Sequence, residues 1–427
     1  MIRRRRTRCP ALGAALAAVL ALSACSGNAT GSAPSAPASS GSANAPASPA
    51  SSAGRGTTAP GDNGAEHTSA AASAWPGSSA TDVTIAATGD ILVHYSVQED
   101  ARTDARRAGE GADAYDFRPM FRHVRPLISA ADVGICHQES PISTDDTNLT
   151  VPHVLNFNAP RQIAKGLKWA GIDGCDTAGN HVWDRGLTGM RETVTALRSA
   201  GLRQVGSSKT ASHAGRAAYY RTPGGVTIAQ LAYTYTLLNN GSPNTDVPAD
   251  APWMRHYLWP ARGAEGIEQD ARAARRHGAD LVVVSMHWGL EYHQQPTTDQ
   301  RELARALLTS GRVDLIVGSH VHVVQPCEKI NGRYVMYGMG NFLSNQAPSQ
   351  ANGLTPSNQD GVLVLATFER RPDGTWRTGL EYQPTYVQTK GHVIRLATPA
   401  HHGASYRRTV SAVNALGDGA CDARPRS

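Results

Sequence analysis

His287-Trp288-Gly289-Leu290-Glu291-Tyr292 and Gly318-Ser319-His320-Val321-His322 each follow a run rich in valine and leucine, Leu281-Val282-Val283-Val284-Ser285-Met286 in the first case and Val313-Asp314-Leu315-Ile316-Val317 in the second. Short runs of this kind read as buried strands, and the amphipathic stretch over 298–310 between them reads as a helix. Strand, helix and strand in succession make the repeating unit of an α/β layer structure. Both runs end on imidazoles, and the carboxyl ends of strands are where open α/β sheets bind their ligands.

The same pattern extends towards the N-terminus. A strand over 83–88 ends at Gly89-Asp90, one over 132–136 ends near Glu139, and one over 172–177 runs into Gly179-Asn180-His181. Helices are expected over 117–131, 161–170, 187–200 and 267–277, with a further short strand at Arg203-Gln204-Val205. Three turn signals, Pro223-Gly224-Gly225, Asn331-Gly332 and Pro372-Asp373-Gly374, each lie between β-like runs and predict hairpins. The stretch 239–250 reads as a loop. The chain from Ala397 onward is weakly patterned and is expected to be a partly disordered tail over 396–427.

Met1-Ile2-Arg3-Arg4-Arg5-Arg6-Thr7-Arg8 is basic, the run 11–24 is small and apolar, and Leu22-Ser23-Ala24-Cys25-Ser26 follows. That order is an export signal. Its ending looks like a bacterial lipobox, with Cys25 as the lipidated first residue of the mature chain; an ordinary secretory signal cut near Ala24 is the alternative. Residues 26–80 are Ser, Ala, Pro, Gly and Thr with almost no bulky apolar side chain, a composition that cannot offset the entropy of ordering. They are expected to form a tether, leaving 81–395 as one domain attached to the outer face of the cytoplasmic membrane, or secreted if Cys25 is unmodified. The formal charge of +6 rests partly on the signal arginines, and the remaining basic residues are scattered, so nucleic acid is not an expected partner.

Of the six cysteines, Cys9 lies in the signal and Cys25 in the lipobox. Cys136, Cys175, Cys327 and Cys421 remain, an even number that permits two disulfides in an exported chain, though four cysteines allow three connectivities. Cys136 and Cys175 each stand near the end of an expected strand, which favours pairing them and leaves Cys327 for Cys421; buried free thiols are the other reading.

Five clusters carry metal-type donors: Gly89-Asp90-Ile91-Leu92-Val93-His94, His137-Gln138-Glu139-Ser140-Pro141, Gly179-Asn180-His181, and the two strand-end segments quoted first. Imidazole and carboxylate without obligatory thiolate suit Mn, Fe or Zn, and two such ions can clamp the attacking and leaving oxygens of a displacement at phosphorus.

These clusters, with Gln325-Pro326 and Gly340-Asn341-Phe342, stand in an order and approximate spacing that resembles the CapA family of poly-gamma-glutamate capsule synthesis proteins, a branch of the calcineurin-like metallophosphatase superfamily. The resemblance covers about 83–342. It implies an α/β fold, a calcineurin-like metallophosphoesterase sandwich of two mixed β-sheets flanked by helices. By resemblance, Asp90, Glu139, Asn180, His287, His320 and His322 are the metal ligands of a centre holding two divalent ions, with Glu139 as bridging carboxylate. His181 is then the acid or charge stabiliser, oriented by Asp184. His94, His137, Trp288, Glu291 and Asn341 are substrate-binding candidates, although Trp288, whose indole only donates, is expected to pack beside the site.

The chain departs from the family pattern at three places. His137 stands where the family usually has Asn, Gly179 replaces the first Asn of an Asn-Asn-His run, and Leu92 occupies the place where the general phosphoesterase pattern has a histidine. The last change implies a metal position that is weak or empty, with His94 at the fourth place contacting substrate instead; separately, His137 either adds a ligand or faces the pocket.

The reading that follows is a surface-anchored, metal-dependent hydrolase of the phosphoesterase type acting in synthesis, release or processing of an anionic envelope polymer such as poly-gamma-glutamate. A non-catalytic polymer-binding accessory of a membrane polymer synthase and a metal-independent, epimerase-like peptide-modifying enzyme are the alternatives. The fold by itself does not choose among them.

Overall fold

The computed structural model describes residues 82–111 and 114–427, so the expected signal, Cys25 and the tether lie outside the described residues. In chain order the elements are β1 (Val83–Ile91), α1 (Tyr95–Arg107), α2 (Arg118–Phe121), α3 (Arg125–Ser129), β2 (Val133–Gln138), α4 (Gln162–Ala170), β3 (Gly174–Asp176), α5 (Gly186–Ser199) and β4 (Arg203–Val205). There follow β5 (Ala218–Arg221), β6 (Thr227–Thr234), α6 (Trp259–Arg276), β7 (Leu281–His287), α7 (Thr298–Thr309), β8 (Leu315–Ser319), β9 (Cys327–Ile330), β10 (Arg333–Met336) and β11 (Asn341–Leu343). The chain closes with β12 (Asp360–Arg370), β13 (Trp376–Val387), β14 (Ile394–Leu396), α8 (Gly403–Val413) and β15 (Arg424–Pro425).

β1 is buried along its whole length because it is central: β2 pairs with it in parallel on one side and β12 antiparallel on the other. The first sheet runs β14-β13-β12-β1-β2-β3-β4, with β11 also pairing β1 and β15 pairing β13; the second runs β5-β6-β7-β8-β10-β9. Both mix parallel and antiparallel pairs, as the resemblance implies. Alternating residues of β6 show the layering. Ile228 and Ala232 enter the core between the sheets, whereas Ala229, Leu231 and Tyr233 pack against Ile267 and Ala271 of α6 and Leu307 of α7. Helices α2 to α4 cover the opposite side of the first sheet through Phe121, Ile128, Ile163 and Leu167.

Local chemistry accounts for the differences from expectation. The helix expected over 117–131 is two short helices, since Pro119 and Pro126 sit at the first turn of each and a proline cannot continue a helix that precedes it. α1 escapes the periodicity reading because its only buried apolar residues are Val97, Ala101 and Ala105, a narrow stripe in a polar helix. The stretch expected to be a partly disordered tail instead carries α8, whose Ala412 and Val413 enter the core between the sheets, and β15, which extends the sheet beside β13.

Cys136 and Cys175 are register partners on β2 and β3 and are joined by a disulfide; a second joins Cys327 to Cys421. Two glycines are required by close approach where the sheets' strand ends meet. A Cβ on Gly89 would stand 2.0 Å from the Gly340 carbonyl oxygen, and one on Gly318 would stand 1.9 Å from that of Tyr337. At Gly89 the register with β2 slips between Thr88 and Asp90, an irregularity of the kind that re-aims the next side chain.

Candidate metal centre

The carboxyl ends of β1, β2, β7 and β8 converge, and with them Asp90, Glu139, His287 and the His320–His322 turn. Asp90, next to the end of β1, donates its backbone N–H to Gly340 O (3.0 Å), and its carboxylate accepts the His320 N–H at 3.2 Å. His320 and His322 both adopt positive φ (92° and 54°), a region costly for side chains larger than glycine and found mainly where function requires it. That turn brings His322 Nδ1 to 3.2 Å from Asp90 Oδ2 and its Nε2 to 3.6 Å from Glu139 Oε1. His287 Nε2 meets Asn180 Oδ1 at 2.9 Å and lies 3.9 Å from Glu139 Oε1, while its Nδ1 faces Ser319 Oγ at 3.1 Å.

Three sets of donors have their ligand atoms within 4.8 Å of one another: Asp90, His137 and His287; Glu139, His287 and His320; and Asp90, Glu139 and His322. All are buried. Their fit to a divalent ion is testable from the donors themselves, because Glu139 Oε1 and Oε2, His137 Nε2 and His320 Nδ1 are buried without a hydrogen-bond partner. An unpaired buried polar group costs about 1–3 kcal/mol, more when charged. Cations placed in these sets would give the unpartnered atoms a partner, and the N/O donor set is the right chemistry.

Burial pushes the His320 imidazole down to about 3 and holds His287 well below its usual range, so both are neutral, the form that binds metal. Burial acts in the same direction on His322, but the neighbouring Glu139 and Asp90 carboxylates outweigh it and raise that ring. Burial likewise raises Glu139. In Asp90 it is outweighed by the His322 hydrogen bond, and the carboxyl is lowered.

His181 stands beside the cluster with Nδ1 on Asp184 Oδ2 at 2.8 Å, and Asp184 is itself fixed by the Phe157 N–H at 2.7 Å. The Phe157 ring separates the edges of His181 and His94 (centroids 4.7 and 5.1 Å). His94 is therefore not in the cluster but faces a cleft of about 630 Å³, shared with Tyr95, Tyr292, Asn345, Gln346 and the apolar 151–155 loop. None of the residues lining this cleft is Lys, Arg, Asp or Glu. A cavity of about 730 Å³ on another side of Tyr95, against Arg102 and Asp146, contains no cluster residue.

Several expected site residues fall elsewhere. Trp288 is 1 % exposed, packs in the core with α6 and α7 and donates to Tyr337 O, so it is not a substrate contact. Asn341 is fully buried behind His322, its Oδ1 3.0 Å from Nδ1, and so positions that ring rather than meeting substrate. Glu291 lies half-buried beyond β7, where its charge raises Tyr235 and Tyr292 after burial has done so. His137 joins the cluster. Sequence reading missed Asp176, whose Oδ1 binds His137 Nδ1 at 2.7 Å, because only the β2–β3 register brings them together. It also missed Phe157, which no motif marks. Tyr235 stacks on His287, and its ring centroid lies 4.5 Å from that of His320.

A family described as "Bacterial capsule synthesis protein PGA_cap" matches residues 84–346. Similar chains include the PGA biosynthesis protein CapA of Bacillus subtilis, 30% identical over 63% of this chain and 64% of that protein. The capsule biosynthesis protein CapA of Bacillus anthracis is 27% identical over 63% and 62% respectively. The match thus spans less than two thirds of those relatives. Among solved structures, the calcineurin-like phosphoesterase YfkN of Bacillus subtilis is 15% identical with a TM-score of 0.42, covering 78% of this chain and 98% of that one.

Proposed function

From the premise that the chain belongs to the PGA_cap family of bacterial capsule synthesis proteins, we propose that it is a metal-dependent hydrolase of the phosphoesterase type that processes an envelope polymer during capsule synthesis or release. The observation that carries the reading is that Glu139, His137 and His320 keep buried donors without a hydrogen-bond partner while each belongs to a set of ligand-type atoms lying within 4.8 Å of one another. Asp90, Glu139, Asn180, His287, His320 and His322 would hold two divalent ions, Mn, Fe or Zn. When bound, such ions supply Lewis acidity, lowering the pKa of water and neutralising charge on substrate oxygens.

The chain's own residues then divide the work. Asp184 fixes Nδ1 of His181, which directs Nε2 to deliver a proton to the leaving group. Phe157 packs edge-on against His181 and Tyr235 lies against His320, so the two rings wall the site. The neutral cleft beside His94 receives the chain of the substrate through Tyr95, Tyr292 and amide side chains. The proposal extends to the residues outside those described: Cys25 carries lipid and holds the domain at the outer face of the cytoplasmic membrane, within reach of a polymer synthase.

The test is hydrolysis of an aryl phosphate by the purified full-length chain, with and without added Mn and after chelation. Turnover that chelation abolishes and Mn restores is expected, with His287→Ala inactive. Absence of turnover under Mn loading would overturn the hydrolase reading in favour of an accessory that only binds polymer; activity that survives chelation would favour the metal-independent enzyme.

A further inference from the structure

Asp90 and His137 are register partners across β1 and β2. The position two residues after Asp90, where the phosphoesterase pattern has a histidine, is held by Leu92, which is 2 % exposed and tied through its backbone to Leu343 O at 2.8 Å. The imidazole absent from β1 has a counterpart on the adjacent strand. His137 Nε2 is buried without a hydrogen-bond partner, and the residue offers a ring nitrogen within 4.8 Å of donor atoms on Asp90 and His287. A histidine kept only for its ion pair with Asp176 would leave that nitrogen unsatisfied in the interior, at a cost of about 1–3 kcal/mol.

Gly179, the second departure from the family pattern, belongs to the same change. A Cβ there would already stand 3.6 Å from His137 Nε2 and Cε1 and 3.5 Å from His287 Cε1. A single methyl would make ordinary contact; the amide of an asparagine reaching further in that direction would compete with the imidazole for its space. Chains with Asn at both places have no ring to accommodate.

We propose that His137 is a metal ligand that replaces, from β2, the histidine missing from the first motif, with Asp176 positioning its ring and Gly179 leaving room for it. This deepens the hydrolase reading and rests on it, because it concerns how that centre is completed. Asp176 binds Nδ1 and so presents Nε2 to the metal, the arrangement by which a carboxylate behind a histidine fixes its tautomer and sharpens its affinity.

The experiment is titration of the chelator-stripped full-length chain with Co(II), reading stoichiometry and affinity by calorimetry and the ligand field by visible absorption. His137→Asn is expected to weaken one site at least tenfold and change the absorption band, while Asp176→Asn weakens the same site with His137 in place and Gly179→Asn does so by crowding. Equal heat-unfolding midpoints in the stripped state exclude misfolding; if His137→Asn is unstable, Asp176→Asn carries the test. Unchanged stoichiometry, affinity and spectrum in both His137→Asn and Asp176→Asn would overturn the assignment while leaving the metal centre standing. A wild-type chain that takes up no Co(II) would overturn the hydrolase reading and this assignment together.

Discussion

Asp184 clamps one ring nitrogen of His181 and thereby decides which nitrogen faces the pocket. His181→Ala is expected to lower kcat by about 10²–10⁴ with metal content unchanged, the range for loss of a positioned general acid. Asp184→Asn should lower kcat with little change in KM, because it disturbs the tautomer and not the binding surface; steady-state kinetics beside elemental analysis checks both. Gly318 makes a different demand. A methyl there would enter the Tyr337 carbonyl and approach Trp288 Nε1 at 2.7 Å, so Gly318→Ala should destabilise by about 1–3 kcal/mol or more through forced backbone movement. Denaturant unfolding measures it.

Helix α6 is fastened to β6 by a polar knot. Asp270 accepts from Tyr233 Oη (2.8 Å), His256 Nε2 (3.0 Å) and Arg262 Nη2 (3.0 Å). Burial would raise the Asp270 carboxyl, but these three partners outweigh it and hold it below the usual carboxylate range. A carboxyl depressed in the folded state stabilises above its unfolded pKa, about 3.9, and that contribution disappears as pH falls through the folded value. Asp270→Asn should therefore lower Tm at pH 7, with a deficit that shrinks below about pH 4. The strands that carry the site were readable from the sequence because each metal-type residue ends an apolar run. α1 and α8 were not, being polar helices with few buried side chains. The place of His137 was hidden for another reason: spacing along the chain does not reveal which residue a neighbouring strand sets opposite, and Asp90 meets His137 only through the slipped register at Gly89. Trp288 packs beside the site as its donor-only indole suggests, whereas the burial of Asn341 behind His322 was not readable because its motif marks proximity to the site and not the direction of the side chain.

Across the whole molecule, the C-terminal segment closes the second sheet. Cys421 is bonded to Cys327 across 94 residues, Lys329 Nζ reaches Asp422 at 2.8 Å, and Tyr334 Oη also bonds Asp422. Cys421→Ser should cost about 2–4 kcal/mol, typical for a disulfide closing a long loop, and thermal unfolding with and without reductant reads it. The cleft beside His94 is lined by no Lys, Arg, Asp or Glu, so polymer held there should bind with an affinity that changes little between low and high salt. Steep salt dependence would place binding on the scattered surface arginines instead. The central claim is that the converging strand ends form a metal centre, and elemental analysis of the purified full-length chain tests it most directly. About two equivalents of Mn, Fe or Zn, lost in Glu139→Ala without loss of folding, is the expected result; a well-folded chain that stays metal-free after incubation with each ion would contradict it.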